Sequence, residues 1–519
     1  MKKGNTIKKI YSYSGFEINE VYSKKDLPNK ENSNLEVNSN TYSWNFNQST
    51  SSGNPEKINK ELHFLVEQGY TNISLELDNP TQLGIDSDDI KSCGKVGKTG
   101  VPVDTIDDLD IILKDISIEN LSIDFGTDFT APILYGMFLS IAEKRNIPLD
   151  KIKGSIRNDI LGGFISEGIL LFPTVNSFKL LVDTVEFITE KTPNFHAIKT
   201  HGTREIYKEL TAVEEIAFSI SKATTYIDSC IGRGLNIDDF SDKISFSFHT
   251  KSDFFEEMAK YRAAKRIWNE LISNHFHAKK EKGKSIHFDS ICEPINSVST
   301  QLENNLIRIA YQVMASSLGG AHTISCRSFD QYFSEFNEES LILALRTQQI
   351  LCEETGILNS EDLFSGSYFL ENLTNLIYEK VKELLEKIEV SGGTTLSIEK
   401  GIIRKWSLES HAKFKNKIQS GEQIILGLNK YIEESEEKSS NLTPSKQKEI
   451  EKKQIEKLAE IKIERDSFAI TEALKNLEKA AKANENLISP IMNAIKLHAT
   501  IGEIVDALKN IFGEYVKQE

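Results

Sequence analysis

Polar residues able to bind a ligand or move a proton recur just past short strand-like runs along this chain. The first cluster, Leu77-Asp78-Asn79-Pro80-Thr81-Gln82, follows Asn72-Ile73-Ser74-Leu75-Glu76. The arrangement repeats at Arg157-Asn158-Asp159, Thr200-His201-Gly202, His249-Thr250-Lys251, Asp289-Ser290 and Cys326-Arg327-Ser328. Asp78 and Gln82 can hold a ligand, or can satisfy the backbone of a loop stiffened by Pro80; spacing alone favours the second. Arg157 carries the planar fork that suits a phosphate or carboxylate, and Asp159 stands where a helix cap belongs. His201, with Arg204 close behind, is placed to act as an acid or base, although a histidine bonded within its loop is the commoner case. His249, His287 and His322 fall on or after three further strands. Three histidines at one mouth could bind a metal, but no H-x-H or H-x-x-x-H spacing supports it, and no metal site is expected. Arg262, Lys265 and Arg266 share a helix with Glu256 and Glu257 and read as an ion-paired, solvated face.

The elements that must position these groups alternate. Strands are expected at Ile73–Leu77, Leu121–Phe125, Gly154–Arg157, His196–Thr200, Ile244–Phe248, Ile286–Phe288 and His322–Ser325. Helices are expected between them, at Ala131–Arg145, Ser177–Lys191, Ala212–Arg233, Asp253–His275, Gln301–Leu318 and Glu339–Thr355. Strict alternation over this length argues for a parallel sheet closed into a (β/α)8 TIM barrel, with its chemistry at the C-terminal strand ends. An eighth strand is expected near Leu358–Tyr368. An open doubly wound sheet is the runner-up, but no glycine-rich dinucleotide turn opens a helix. The organisation is thus an N-terminal arm over 1–54, a barrel over 55–392 and a C-terminal helical segment over 393–519. The arm is polar, with Tyr11, Phe16, Tyr42 and Trp44 as anchors. The Lys- and Glu-rich stretch Ser440–Lys462 reads as a solvated helix or linker. The tail turns apolar at helical spacing (Leu487, Ile491, Ile495, Ile501, Ile504, Leu508, Ile511), so it packs on the barrel or on another chain.

The 519 residues carry a formal charge of −15, which argues against nucleic acid or an anionic membrane as a general partner. The five cysteines form no C-x-x-C pair, as expected of reduced thiols in a cytoplasmic protein. The basic start has no apolar core behind it, so no signal peptide is expected, and no apolar run is long enough to span a bilayer.

Beyond these single clusters, long ordered motifs resemble the barrel-bearing subunit of the adenosylcobalamin-dependent acyl-CoA mutases, the methylmalonyl-CoA mutase family. They run from Asp78-Asn79-Pro80-Thr81-Gln82-Leu83-Gly84-Ile85-Asp86-Ser87-Asp88 through Gly94-Lys95-Val96-Gly97-Lys98-Thr99-Gly100-Val101-Pro102-Val103-Asp104-Thr105. Asn158-Asp159-Ile160-Leu161, Asn304-Asn305, Arg346-Thr347-Gln348-Gln349 and Ala499-Thr500-Ile501-Gly502-Glu503-Ile504-Val505-Asp506-Ala507-Leu508 continue the series. The resemblance implies an acyl-CoA threaded along the barrel axis, with the corrinoid capping the strand C-termini and radical chemistry rearranging the acyl skeleton. It implies adenosylcobalamin held mainly by a separate small cobalamin-binding subunit, since no D-x-H-x-x-G signature is found here. A homo- or heterodimer formed through the barrel or the C-terminal helices also fits the family.

The chain departs from the family in the site itself. The family's active-site tyrosine corresponds to Ser49 and an arginine two residues earlier to Asn47. A strand-end glutamine is Arg157, the arginine that grips the methylmalonyl carboxylate is Glu167, and Gly-Tyr-His becomes Gly202-Thr203-Arg204. The Leu-His-Thr-Asn-Ser run becomes Ile324-Ser325-Cys326-Arg327-Ser328. Glu167 would repel a substrate carboxylate, so methylmalonyl-CoA is not the expected substrate. By this resemblance Asp78 and Arg204 are the catalytic candidates, Ser49, Gln82, Arg157, Glu167 and Thr203 the substrate contacts, and Asn158, His322 and Ser325 the corrinoid contacts. Arg157, Arg204 and Arg327 could instead pair with Glu167 or Asp128 across the mouth. Two functions follow: an active mutase subunit with altered acyl specificity, or an inert paralogue kept as a structural or regulatory partner.

Overall fold

The structure, a computed structural model, describes residues 10–12, 14–18, 24–27, 43–202, 210–294, 301–332, 336–358, 362–433 and 444–516. A small antiparallel hairpin, β1 (Ile10–Tyr11) and β2 (Glu17–Ile18), precedes the main sheet. That sheet contains β3 (Asn45–Ser49), β4 (Asn72–Leu75), β5 (Ser122–Phe125), β6 (Lys153–Ile156), β7 (Phe195–His196), β8 (Ile198–His201), β9 (Ile244–Thr250), β10 (His287–Cys292) and β11 (Thr323–Cys326). Its order is β7-β6-β5-β4-β3-β11-β10-β9-β8, and every pairing is parallel. β7 and β8 are one run of chain interrupted only at Ala197, so the two ends of this order meet and nine strands make eight staves. The Lys199 N–H donates to the Arg157 carbonyl at 2.8 Å across the seam, and Asn158 Nδ2 donates to the Ala197 carbonyl at 3.2 Å.

Two expectations change here. The eighth stave is β3, drawn from the stretch read as an arm, and not Leu358–Tyr368, whose described residues are turns ending at the helix Tyr368–Val390. Asn-Phe-Asn-Gln-Ser carries no apolar run, because one of its faces looks into a polar barrel; Trp44 anchors it through Nε1 to Gln348 Oε1 at 3.0 Å. The Lys- and Glu-rich segment is likewise not simply solvated. It forms the helix Pro444–Glu464, which straps the loop after β4: Gln454 bonds Asp104 and Asp108, Lys457 pairs with Asp108 at 2.6 Å, and Lys462 pairs with Asp88 at 2.8 Å.

The helices start where the polar clusters act as caps. Asp159 accepts from Gly162 N at the head of Ile160–Glu167, Asp253 from Glu256 N at the head of Phe254–Glu270, and Thr211 forms a capping box with Glu214 at the head of Ala212–Gly232. The apolar tail packs on the barrel. Helix Ile488–Lys496 lies against Ala131–Lys144 so closely that a Cβ on Gly136 would meet Ile495 Cδ1 at 3.0 Å. Helix Ile501–Phe512 is tied to the loop after β4 by Ile501 N to the Asp104 carbonyl at 2.8 Å and Thr500 Oγ1 to Asp86 Oδ2 at 2.7 Å. No helix among the described residues is long and apolar enough to cross a membrane.

Candidate functional site

Alternation along each stave sends one set of side chains to the surrounding helices and the other into the lumen. The outward set is apolar and buried, as with Ile123 and Phe125 on β5, Phe246 and Phe248 on β9, and Phe288 on β10. The inward set is polar: Asn47, Ser74, Asp124, Ser155, Lys199, Ser247, Asp289, Thr323 and Ser325. Most barrels of this kind fill the interior with branched aliphatics. Here the interior is a hydrogen-bonding surface.

Lys199 lies at its centre. Its ammonium is 2.9 Å from Asp124 Oδ2 and 2.5 Å from Asp289 Oδ2. β5 and β10 stand opposite one another in the closed ring, so this one side chain bridges the lumen. Ser155 Oγ donates to Asp124 at 2.8 Å, Ser74 Oγ reaches the same carboxylate at 3.3 Å, and Asn47 Nδ2 donates to Ser74 Oγ at 3.0 Å. Burial works against the charged forms of both Lys199 and Asp289. The two carboxylates outweigh it at Lys199 and hold its pKa above the ordinary lysine range, while the Asp289 carboxyl is pushed up.

Towards the N-terminal ends of the staves, His196, His287 and His322 form a column with ring centres 4.3 Å apart at each step. Burial, then the neighbouring cations and imidazoles, lowers all three, to about 3 for His196 and well below the ordinary value for His287 and His322. The column is therefore neutral at pH 7. His322, expected as a corrinoid contact, lies in this column. β11 begins after His322 and β10 begins at His287, so both stand on the floor, and of the three histidines once grouped at the mouth only His249 is there. Among the described residues no three His, Cys, Asp or Glu side chains are grouped as metal ligands.

The mouth is built from the residues that follow each stave. Arg157 Nε lies 3.6 Å from Asp128 Oδ1, and Arg327 Nη2 lies 3.6 Å from Glu76 Oε1. The expected pairing of Arg157 with Asp128 is thus present, whereas Arg327 reaches Glu76. His249 Nδ1 lies 3.3 Å from Glu293 Oε1, and the His249 backbone N–H donates to Glu215, which also holds the buried Lys260 at 2.9 Å. His201 Nε2 and Ser325 Oγ are buried and have no hydrogen-bond partner among the described residues. Burial, with Arg157 and Lys222 nearby, lowers the His201 pKa well below the ordinary value, so it too is neutral.

The other expected site residues are spread. Asp78 is fully buried at the cap of Asn79–Gln82, accepting from Thr81 N at 3.0 Å and Gly97 N at 2.8 Å. Gln82 Nε2 donates to the Leu77 carbonyl at 2.7 Å. Ser49 ends β3 inside the barrel, and Asn158 adopts φ +50° beneath the mouth. Glu167 is exposed at the far end of the helix Ile160–Glu167, a helix length from the stave that feeds it. Thr203 and Arg204 lie outside the described residues. Lys199, Asp124, Asp289 and the histidine column were not singled out together from sequence. The signal was present in Ser122-Ile-Asp124-Phe and Ser245-Phe-Ser247-Phe, whose alternation is unlike the near-continuous apolar runs usual for buried parallel strands.

A corrinoid offers amide arms and nucleoside hydroxyls, which call for donors and acceptors around a dry cavity. The buried, unsatisfied His201 Nε2 and Ser325 Oγ fit that demand at the mouth.

Residues 1–514 match the family described as methylmalonyl-CoA mutase. The chain is 31% identical over 473 residues to the 2-hydroxyisobutanoyl-CoA mutase large subunit of Aquincola tertiaricarbonis, covering 91% of this chain and 84% of that one. It is 32% identical over 475 residues to the mitochondrial methylmalonyl-CoA mutase of Mus musculus (91% and 63%) and 30% identical over 476 residues to the methylmalonyl-CoA mutase of Rhizobium meliloti (91% and 66%). The chain thus spans 63% and 66% of the length of these two methylmalonyl-CoA mutases. It belongs to the methylmalonyl-CoA mutase family of isomerases.

Proposed function

We propose that this chain is the barrel subunit of an adenosylcobalamin-dependent carbon-skeleton mutase, working with a separate small cobalamin-binding subunit on an acyl group other than methylmalonyl. The observation that carries the reading is the mouth: polar groups from separate staves converge there, and two of them, His201 Nε2 and Ser325 Oγ, are buried without a partner among the described residues. Such groups are costly unless a ligand or water meets them. A named large subunit among the relatives supports a smaller companion.

The bound corrinoid would supply the radical chemistry. This chain's residues bind, orient and exclude water. Arg157 holds an anionic group at the rim, neutral His201 donates to the acyl oxygen, and Ser49 and Ser325 leave room for the acyl carbons. By the resemblance, Gln82, Thr203 and Arg204 are the further substrate contacts of this reading, whereas Glu167, exposed at the end of its helix, stands apart from them. Asn158 and Ser325 meet the corrin face. A second reading, an inert barrel retained for assembly, is favoured by the rim itself, where Arg157 faces Asp128 and Arg327 faces Glu76.

The test combines the purified chain with a candidate small subunit, adenosylcobalamin and a panel of acyl thioesters and the corresponding free acids. An absorbance change of the corrinoid accompanied by a rearranged product is the expected result. No change with any substrate, together with stable association with an intact barrel subunit, would replace this reading with the inert one.

A further inference from the structure

We propose that His249, turned by Glu293 and Tyr332 so that its outer nitrogen is an acceptor, selects an acyl group that carries a hydroxyl. The inference deepens the mutase reading and rests on it: that reading supplies a thioester at the mouth, and this one names a substituent on its acyl chain.

The three residues come from neighbouring staves. His249 is the last inward position of β9, after Ser245 and Ser247, and pairs in register with Ile291 of β10. Glu293 follows β10 by one residue, and Tyr332 lies in the turns after β11. The Tyr332 hydroxyl donates to Glu293 Oε2, and Glu293 Oε1 faces His249 Nδ1 at 3.3 Å. The His249 backbone is fixed from both sides. Its N–H donates to Glu215 Oε1 at 2.7 Å, its carbonyl accepts from Lys260 Nζ at 2.5 Å, and those two side chains are themselves paired at 2.9 Å. An imidazole held at its backbone and faced by a carboxylate at one nitrogen has its other nitrogen aimed.

The chemistry of that second nitrogen follows from the first. A carboxylate that accepts from Tyr332 on one oxygen presents only lone pairs on the other, so the proton of the neutral ring belongs on Nδ1. Nε2 then carries a lone pair. Nδ1 is buried while 16% of the side chain is exposed, so the exposure falls on the opposite edge of the ring, where Nε2 lies. Among the described residues nothing donates to it. The Nδ1 contact itself is longer than a formed hydrogen bond, a looseness usual in a site that tightens around its ligand.

His201 is the complement. It lies inward on the adjacent stave β8, in register with Ser247, one inward step below His249. Burial, then Arg157, Lys222, Lys199 and His249, keeps it neutral, and its Nε2 is buried and unmet among the described residues. The mouth thus sets a donor beside an acceptor. A thioester oxygen, which only accepts, satisfies His201. His249 Nε2 needs a hydrogen on the ligand. A hydroxyl supplies one; a methyl group or a keto oxygen does not, and a carboxylate would in addition face Glu293 and Glu215.

The experiment is calorimetric titration of the full chain, without corrinoid, with thioesters that differ at one group: isobutanoyl-CoA against 2-hydroxyisobutanoyl-CoA, and butanoyl-CoA against 3-hydroxybutanoyl-CoA and 3-oxobutanoyl-CoA. Expected: in at least one series the hydroxyl compound binds about tenfold more tightly than its deoxy partner. His249→Leu brings the two within about twofold of one another. Glu293→Gln places an amide donor at Nδ1 and moves the ring proton to Nε2, so the preference for 3-hydroxybutanoyl-CoA over 3-oxobutanoyl-CoA disappears, a change that a merely structural glutamate would not cause. Should His249→Leu not fold, the wild-type ratios and Glu293→Gln decide. Equal affinity for hydroxyl and deoxy partners in the wild-type chain overturns the inference, and so does a hydroxyl preference that survives in His249→Leu. If the thioesters bind without regard to the hydroxyl, this inference falls and the mutase reading stands; if none of the five binds, the mutase reading falls and carries this inference with it.

Discussion

Asp78 shows how fully the backbone can engage a carboxylate at a strand end. Both its oxygens accept backbone N–H groups, from Thr81 and Gly97, and burial raises its pKa to about 6. Asp78→Ala removes the cap and leaves the Gly97 N–H unsatisfied, with an expected loss of about 1–2 kcal/mol in urea unfolding. Asp78→Asn retains an acceptor. Because the folded pKa lies above the unfolded value, the aspartate's contribution is greatest below pH 4 and declines as pH rises to about 6. The stability of Asp78→Asn relative to wild type is therefore expected to improve between pH 4 and pH 6. Loss of turnover in Asp78→Asn with unchanged stability would return this residue to a catalytic role.

At the scale of the barrel's elements, charge and stacking couple staves that are far apart in sequence. Lys199→Met alone leaves Asp124 and Asp289 facing one another without their cation, and should destabilise by about 3–5 kcal/mol. Adding Asp124→Asn and Asp289→Asn should recover most of that loss, a non-additivity that denaturant titration of the single and combined variants measures directly. The histidine column predicts the opposite pH sense from Asp78. Its folded pKa values lie below the unfolded value of 6.5, so its contribution is intact above that pH and declines as pH falls towards 3. Wild type is expected to lose more stability between pH 7.5 and pH 5.5 than His287→Gln does, and equal losses would show that His287 takes up a proton as readily in the folded chain as in the unfolded one. The strap helix offers a steric test. A Cβ at Gly97, at φ +67°, would meet Ile450 Cγ2 at 2.5 Å, so Gly97→Ala should release the strap and raise hydrogen exchange across residues 92–101.

For the whole molecule, the tail is part of the core. Ile491, Ile495, Ile504 and Leu508 are fully buried, and the turn between their helices is bonded to Asp86 and Asp104 in the loop after β4. Truncation before Ile488 would expose these side chains together with the apolar face of Ala131–Lys144. The expected outcome is aggregation, or strong binding of a hydrophobic dye, in place of a folded barrel. A truncated chain that remains monodisperse with unchanged unfolding would show that the tail packs only weakly.

Much of the architecture was legible in the chain itself. Strand–helix alternation, the helix starts at Asp159, Thr211 and Asp253, and the apolar stripe of the tail are local patterns, set by side-chain period and by which residues can cap a helix. The ordered motifs led to the family for the same reason: they are linear. β3 escaped because a stave that faces a polar lumen lacks the apolar run by which strands are recognised. The site was decided by closure. Only when eight staves form a ring do Asp124 and Asp289 come within reach of one lysine, and only the register of the staves sends His322 to the floor and Ser325 towards the mouth. Residue types and periods act over a few positions, whereas contacts between residues 90 or more apart, such as Lys199 and Asp289, are created by the tertiary fold.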